Sequence, residues 1–222
     1  MASRNFITSG RKIVAIGRNF SEHAKELGNA VPKAPFFFLK PTSSYIANGE
    51  SIEVPEGCEV HHEVELGVVI GKGGRDIPAS EASKHVAGYT LALDMTARNL
   101  QDIAKKSGLP WSTAKGYDTF TPIGELIPVD QIPDTNNVDL SLKIDGVTKQ
   151  NGNTKDMIFK IPSLIEHVSS IMKLQEGDVI LTGTPAGVGP VNPGETVTCE
   201  LGTKGKIISQ LRFPVVARTK RA

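Results

Sequence analysis

The sequence predicts a β-rich α+β fold. Three observations predict it: short strand-like runs recur along the whole chain, few helical periodicities interrupt them, and the two do not alternate as βαβ units would. The 22 Gly and 14 Pro in 222 residues supply the many turns such a fold needs. "KIVAIGRN" reads as a first strand, from Lys12 to Gly17. "NFSEHAKELG" reads as a short helix, with Asn19 as cap, Glu22 as its capping-box partner and Gly28 as stop. Strands then follow in "APFFFLKP", "SIEVP", "HHEVELGVVIG" and "GYTLALDMT", the last running from Tyr89 to about Asp94. The next helix, "ARNLQDIAKKSG", has Thr96 as its expected N-cap and Gly108 as its C-terminal glycine. "FTPIGELIP", "VDLSLKIDG", "DVILTGTP", "ETVTCEL" and "KIISQLRFPVVA" read as further strands. Between them, "KIPSLIEHVSSIMKL" places Leu164, Ile165, Val168, Ile171 and Met172 at helical spacing.

Apolar residues at 39% and charged residues at 22% are an ordinary globular balance. A net charge of +1 offers no field to attract nucleic acid or an acidic membrane. No apolar run approaches the ~20 residues of a spanning helix. Cys58 and Cys199 form no spaced cluster, so a reducing, intracellular compartment is expected. Arg4, Arg11, Lys12 and Arg18, with Ser and Thr and no acid nearby, resemble a weak mitochondrial presequence; the cytosol is the alternative. The expected organisation is a short extension (1–11), one domain (12–216) and a basic tail (217–222).

Glu63 and Glu65 are two apart, which on a strand puts both carboxylates on one face. In isolation that pattern is most often a solvated strand face. Here Val68, Val69 and Ile70 follow, apolar on both faces, so the strand is expected to enter the interior. Two carboxylates there repel each other and resist desolvation, and they need a cation. Asp94, closing the apolar "TLALD", is a third candidate; its plainer role is to favour a helix N-terminus. An all-oxygen set suits Mg²⁺ or Mn²⁺ better than zinc. His61 and His62 can each bind a transition metal, but adjacent strand residues face opposite ways.

"GRNFSEHAKELG", "FLKP", "HHEVELGVVIG", "LALDMTARNLQ", "GLPWSTAKGYDTFTPIG" and "VILTGTPAGVGP" resemble, in order, the landmarks of the fumarylacetoacetate hydrolase family, from about Lys12 to near residue 215. The likeness is greatest to its small eukaryotic acylpyruvases, which also decarboxylate oxaloacetate. It implies the family's mixed β-sandwich roll, a homodimer and a small α-keto acid substrate. It implies that Glu63, Glu65 and Asp94 bind one Mg²⁺, with Mn²⁺ as the alternative, and that Lys115 is a catalytic electrophile.

Three carboxylates against a divalent ion leave about −1, so an anionic substrate needs cations nearby. Arg18, Arg98 and Lys115 are the candidates. Arg98 and Gln101, three apart, share a helix face near Asp94, and the resemblance puts them over the substrate. The Gly183 N–H and the Thr184 hydroxyl can hold a carboxylate. His23 and Glu26, also three apart, form a general-base dyad that the resemblance assigns to water activation on a lid. The expected activity is hydrolysis of acylpyruvates to pyruvate and a carboxylic acid, with decarboxylation of oxaloacetate. An oxaloacetate tautomerase or related isomerase is the alternative, and a non-catalytic binding protein the third.

Overall fold

The computed structural model describes residues 6–22 and 32–219. Its first strands are β1 (Ile13–Gly17), β2 (Phe36–Lys40), β3 (Tyr45–Ile46), β4 (Ile52–Val54), β5 (Val60–His62), β6 (Val64–Ile70), β7 (Val86–Leu93) and β8 (Thr96–Ala97). There follow β9 (Thr121–Pro122), β10 (Ile127–Pro128), β11 (Asp139–Ile144), β12 (Val147–Asn153), β13 (Val179–Leu181), β14 (Gly189–Pro190), β15 (Thr196–Thr203) and β16 (Lys206–Ala217). The described α-helices are α1 (Phe6–Ser9), α2 (Arg98–Ser107), α3 (Ser112–Lys115) and α4 (Ile161–Ile171).

A six-stranded sheet runs β10-β7-β6-β13-β1-β2, and a five-stranded sheet runs β12-β11-β15-β16-β4. Both are mixed: β1 pairs with β13, and β16 with β4, in parallel, while the remaining pairs of these two sheets are antiparallel. Leu66, Val68 and Leu91 of the first sheet share one core with Leu140, Leu142, Val197 and Leu201 of the second. The alternating burial of β15 fits a sheet with one wet face, and the continuous burial of β6 fits a strand covered on both. The β-rich α+β expectation is therefore met.

Four local expectations change. "HHEVELGVVIG" is two strands, not one. β5 joins β14 and β8 in a small sheet, β6 enters the large one, and Glu63 is the hinge between them. Thr96 does not cap α2. It is held in β8 opposite His61, and the first helical N–H, of Arg98, is satisfied by the Glu59 carbonyl at 2.7 Å. Gly108 does end that helix, at φ 64°. Ile171, expected on the buried stripe of α4 with Leu164, Ile165 and Val168, is exposed.

Asn19 is the fourth case. Its carboxamide is spent on tertiary bonds rather than on a helix cap. The amide donates to the carbonyls of Phe159 (2.9 Å) and Thr182 (2.8 Å), and the oxygen accepts from the Phe159 N–H (2.7 Å). The side chain thus ties the end of β1 to the turn before α4 and to the exit of β13. Asn19→Ala leaves these buried groups unpaired and is expected to cost about 3 kcal/mol. Urea unfolding checks this, and a loss under about 0.5 kcal/mol, the scale of a surface change, would contradict it.

Candidate metal centre and cleft

Glu63, Glu65 and Asp94 meet at one end of the interior strands β6 and β7 of the large sheet. β6 and β7 pair from Val64 opposite Leu93, and the Asp94 N–H extends the ladder by bonding the Glu63 carbonyl at 2.8 Å. This last rung sets the first and third acids side by side. Glu65, two residues along, turns to the same side. One oxygen from each carboxylate lies within 4.8 Å of the others, and all three residues are buried.

Three cations close around them. The Lys115 ammonium, delivered by the single turn of α3, donates to Glu63 Oε2 (2.9 Å) and Asp94 Oδ2 (2.7 Å). Arg98, at the start of α2, donates to Glu63 Oε1 and to Gln101 Oε1, both at 2.5 Å. Lys40, closing β2, donates to Asp94 Oδ1 and to the carbonyls of Met95 (3.2 Å) and Phe120 (2.8 Å). Burial presses the Lys40 amine below its usual value, opposed by Asp94. Three acceptors around one nitrogen are nonetheless the surroundings of an ammonium. For Lys115 burial pulls the same way, but Asp94 and Glu63 outweigh it and raise the amine.

Glu65 is the acid left wanting. Burial pushes its carboxyl well above the usual range, and the charges of Asp94 and Glu63 push it further; the Gly183 N–H, at 2.7 Å from Oε2, and Lys115 only partly oppose this. Gly183 has φ +101°, and a Cβ there would come within 2.8 Å of Asn19, so only glycine brings that N–H to bear. A hard divalent cation among three carboxylate oxygens removes the conflict, and the donor set fits Mg²⁺ or Mn²⁺.

The remaining residues singled out in the sequence fall as follows. Arg18, Arg98, Gln101, Lys115 and Thr184 line one cleft with the three acids. The Gly183 N–H is committed to Glu65. The Thr184 hydroxyl donates to the Val64 carbonyl (2.8 Å) and accepts from Gln150 Nε2 (2.8 Å), which makes it a brace of the acidic strand. His61 meets Glu59, and His62 meets Gln150 Oε1 at 2.9 Å. Burial holds His62 below its usual value, hence neutral, and its Nδ1–H is the donor, because the Val64 N–H already donates to the same oxygen. His23 and Glu26 lie outside the described residues.

Two residues escaped the sequence reading. Lys40 sits in the quoted "FLKP", and its signal was a lysine ending an apolar strand. Gln150 is fully buried and grips both flanks of Glu63, through His62 and the Val64 N–H. It lies on a mostly exposed strand and carried no signal.

Fold and cleft together define a class: a β-rich domain with a buried carboxylate triad, ringed by cations, that could hold a metal ion. A family model described as the C-terminal domain of fumarylacetoacetate hydrolase matches residues 12–215. The chain is 57% identical over 217 residues to a mitochondrial oxaloacetate decarboxylase of Dictyostelium discoideum, covering 97% of this chain and 98% of that one. It is 58% identical over 212 residues to a mitochondrial oxaloacetate tautomerase of Arabidopsis thaliana, covering 95% and 93%. A fumarylpyruvate hydrolase from Pseudomonas aeruginosa, solved with Mn²⁺ and pyruvate, superposes with a TM-score of 0.86 at 34% identity, covering 94% and 91%. The chain belongs to the fumarylacetoacetate hydrolase family. No described helix is long and apolar enough to cross a membrane.

Glu65→Gln keeps the shape and the bond to Gly183 but removes one charge. It is expected to weaken Mn²⁺ binding by at least about tenfold, read as free ion by electron paramagnetic resonance. The sign for stability is opposite. A carboxyl whose value rises on folding opposes folding once pH exceeds its unfolded value. At neutral pH the metal-free variant should therefore melt higher than the metal-free parent.

Proposed function

We propose that this chain acts on oxaloacetate with a divalent cation, interconverting its keto and enol forms and decarboxylating it to pyruvate. The observation that carries this is the convergence of Glu63, Glu65 and Asp94 to within 4.8 Å, with Lys40, Lys115 and Arg98 in contact. Three acids and three bases cancel, so a bound divalent ion leaves the centre at about +2. That reverses the −1 expected from the acids alone, and it attracts an α-keto acid. Mg²⁺ or Mn²⁺ bound there supplies Lewis-acid withdrawal at the keto oxygen. The names of the decarboxylase and tautomerase relatives support the substrate and a mitochondrial location.

Both reactions place negative charge on the keto oxygen. In tautomerisation a proton leaves C3 and is delivered to that oxygen. In decarboxylation the C3–C4 bond breaks, its electron pair moves toward the same oxygen, CO₂ departs, and C3 is then protonated. Lys115, fixed by two carboxylates, is a preset ammonium donor for that charge, with no reorganisation at the moment of reaction. Arg98, locked to Gln101 and Glu63, orients the substrate carboxylate. In tautomerisation His23 and Glu26 supply the proton-transfer group. The resemblance to acylpyruvases and the fumarylpyruvate hydrolase structure favour a second reading, acylpyruvate hydrolysis, in which the same dyad activates water against the distal carbonyl.

Incubation with Mg²⁺ and oxaloacetate should deplete the enol absorbance and release pyruvate, and a chelator should stop both. Chelator-insensitive turnover would sink the reading. His23→Ala should lower acylpyruvate hydrolysis by at least ~10²-fold while sparing decarboxylation, which needs no attacking water. Steady-state rates on acetylpyruvate and oxaloacetate test the split; equal losses would remove water activation from the role of His23.

A further inference from the structure

Strand β2 runs as a ruler from the cleft mouth to the acids. Phe36, Phe38 and Lys40 alternate onto one face. Lys40 touches Asp94. Phe38 underlies the Lys115 ammonium, 4.8 Å from its centroid. Phe36 underlies Arg18, whose guanidinium carbon is 5.5 Å away. Trp111 packs across both rings, with centroids 6.0 Å from Phe36 and 5.3 Å from Phe38. It carries a further cation, Lys105, at 5.6 Å. Lys105 follows Arg98 at i+7 and Gln101 at i+4, on the same side of α2, and lines the same cleft.

Arg18 and Lys105 are thus held on neighbouring rings of one aromatic pair. Neither touches the acidic triad, unlike Lys40, Lys115 and Arg98. Lys105 meets Asp102 at 3.3 Å, but that carboxylate is about half exposed, and such pairs hold little. Burial, and then the charge of Arg98, press on the Lys105 amine, as expected where cations gather. Two residues of strand, about 7 Å, separate the ring beneath Lys115 from the ring beneath Arg18. This is the scale of a short carbon chain.

We propose that Lys105, together with Arg18, forms a distal carboxylate subsite that directs this cleft to short α-keto dicarboxylic acids. The subsite rests on the proposed function for the placement of the keto-acid end. It selects oxaloacetate over neutral-tailed keto acids, and among acylpyruvates it selects those with an anionic tail.

Two stable five-carbon probes isolate the effect: 2-oxoglutarate carries the distal carboxylate and 2-oxopentanoate does not. Calorimetry with Mg²⁺ should find the first bound at least about tenfold more tightly, the scale of one charge-assisted contact. Lys105→Met should bring the ratio close to one, and Lys105→Arg should keep most of it. A ratio near one in the unmutated protein, no binding of either probe, or an unchanged ratio in Lys105→Met would overturn the subsite. The two proposals fail differently. Preference for 2-oxoglutarate without turnover of oxaloacetate removes the function and leaves the subsite. Metal-dependent turnover without that preference removes the subsite alone.

Discussion

The site is organised around like-charge repulsion under burial. Glu63, Glu65 and Asp94 are almost wholly out of water, and their nearest oxygens are close enough to share one ion. No arrangement of hydrophobic neighbours relieves this. The chain answers with Lys40 and Lys115, both fully buried, and with Arg98. Burying a lysine is costly on its own, and burying an acid is too; together each justifies the other. Their sum leaves Glu65 as the residual strain, which a bound cation would relieve. A cluster in which Glu65 also had a cation in contact, as Glu63 and Asp94 do, would be more stable and would have less use for a metal.

The architecture exists largely to hold that conflict in place. A single continuous strand through His61–Ile70 would fix Glu63 in the plane of one sheet. The break at Glu63 lets β5 and β6 leave in different sheets, and the Glu63 carbonyl is caught by the Asp94 N–H. Gln150 reaches in from the second large sheet and pins both flanks of the break, and its amide also braces Thr184. Asn19 performs the corresponding task behind Gly183, whose N–H points at Glu65. Buried carboxamides suit this work, because they join backbone segments without adding charge to a place that already has too much.

The acids were legible because their signal is local: an E-x-E spacing before an apolar run, and an aspartate closing an apolar strand. The β-rich class was legible because turn residues and strand periodicities are local too. Lys40 was not, since a lysine at a strand end usually marks the return to solvent, and only the three-dimensional position of Asp94 reverses that. Gln150 was hidden on a strand whose neighbours face water. The break at Glu63 had no signature, because no glycine, proline or other turn residue marks it between Val60 and Leu66. Asn19 and Thr96 were misread for one reason. Both are good capping residues, and tertiary partners far along the chain claimed them first, Phe159 and Thr182 for Asn19 and strand β5 for Thr96.

The charge at the far end of the cleft bears on which oxaloacetate reaction this site favours. Decarboxylation drains negative charge from the second carboxylate, since CO₂ leaves neutral. Cations at that position stabilise the starting state more than the transition state, and so they oppose the cleavage. Tautomerisation keeps the second carboxylate intact and moves only a proton at C3, so the same cations bind substrate and transition state alike and cost nothing. At the keto oxygen, by contrast, Lys115 assists both reactions equally. If Lys105 and Arg18 hold that carboxylate as proposed, the cleft discriminates through the end of the substrate that does not enolise, and the balance of charge tips it toward interconversion over loss of carbon.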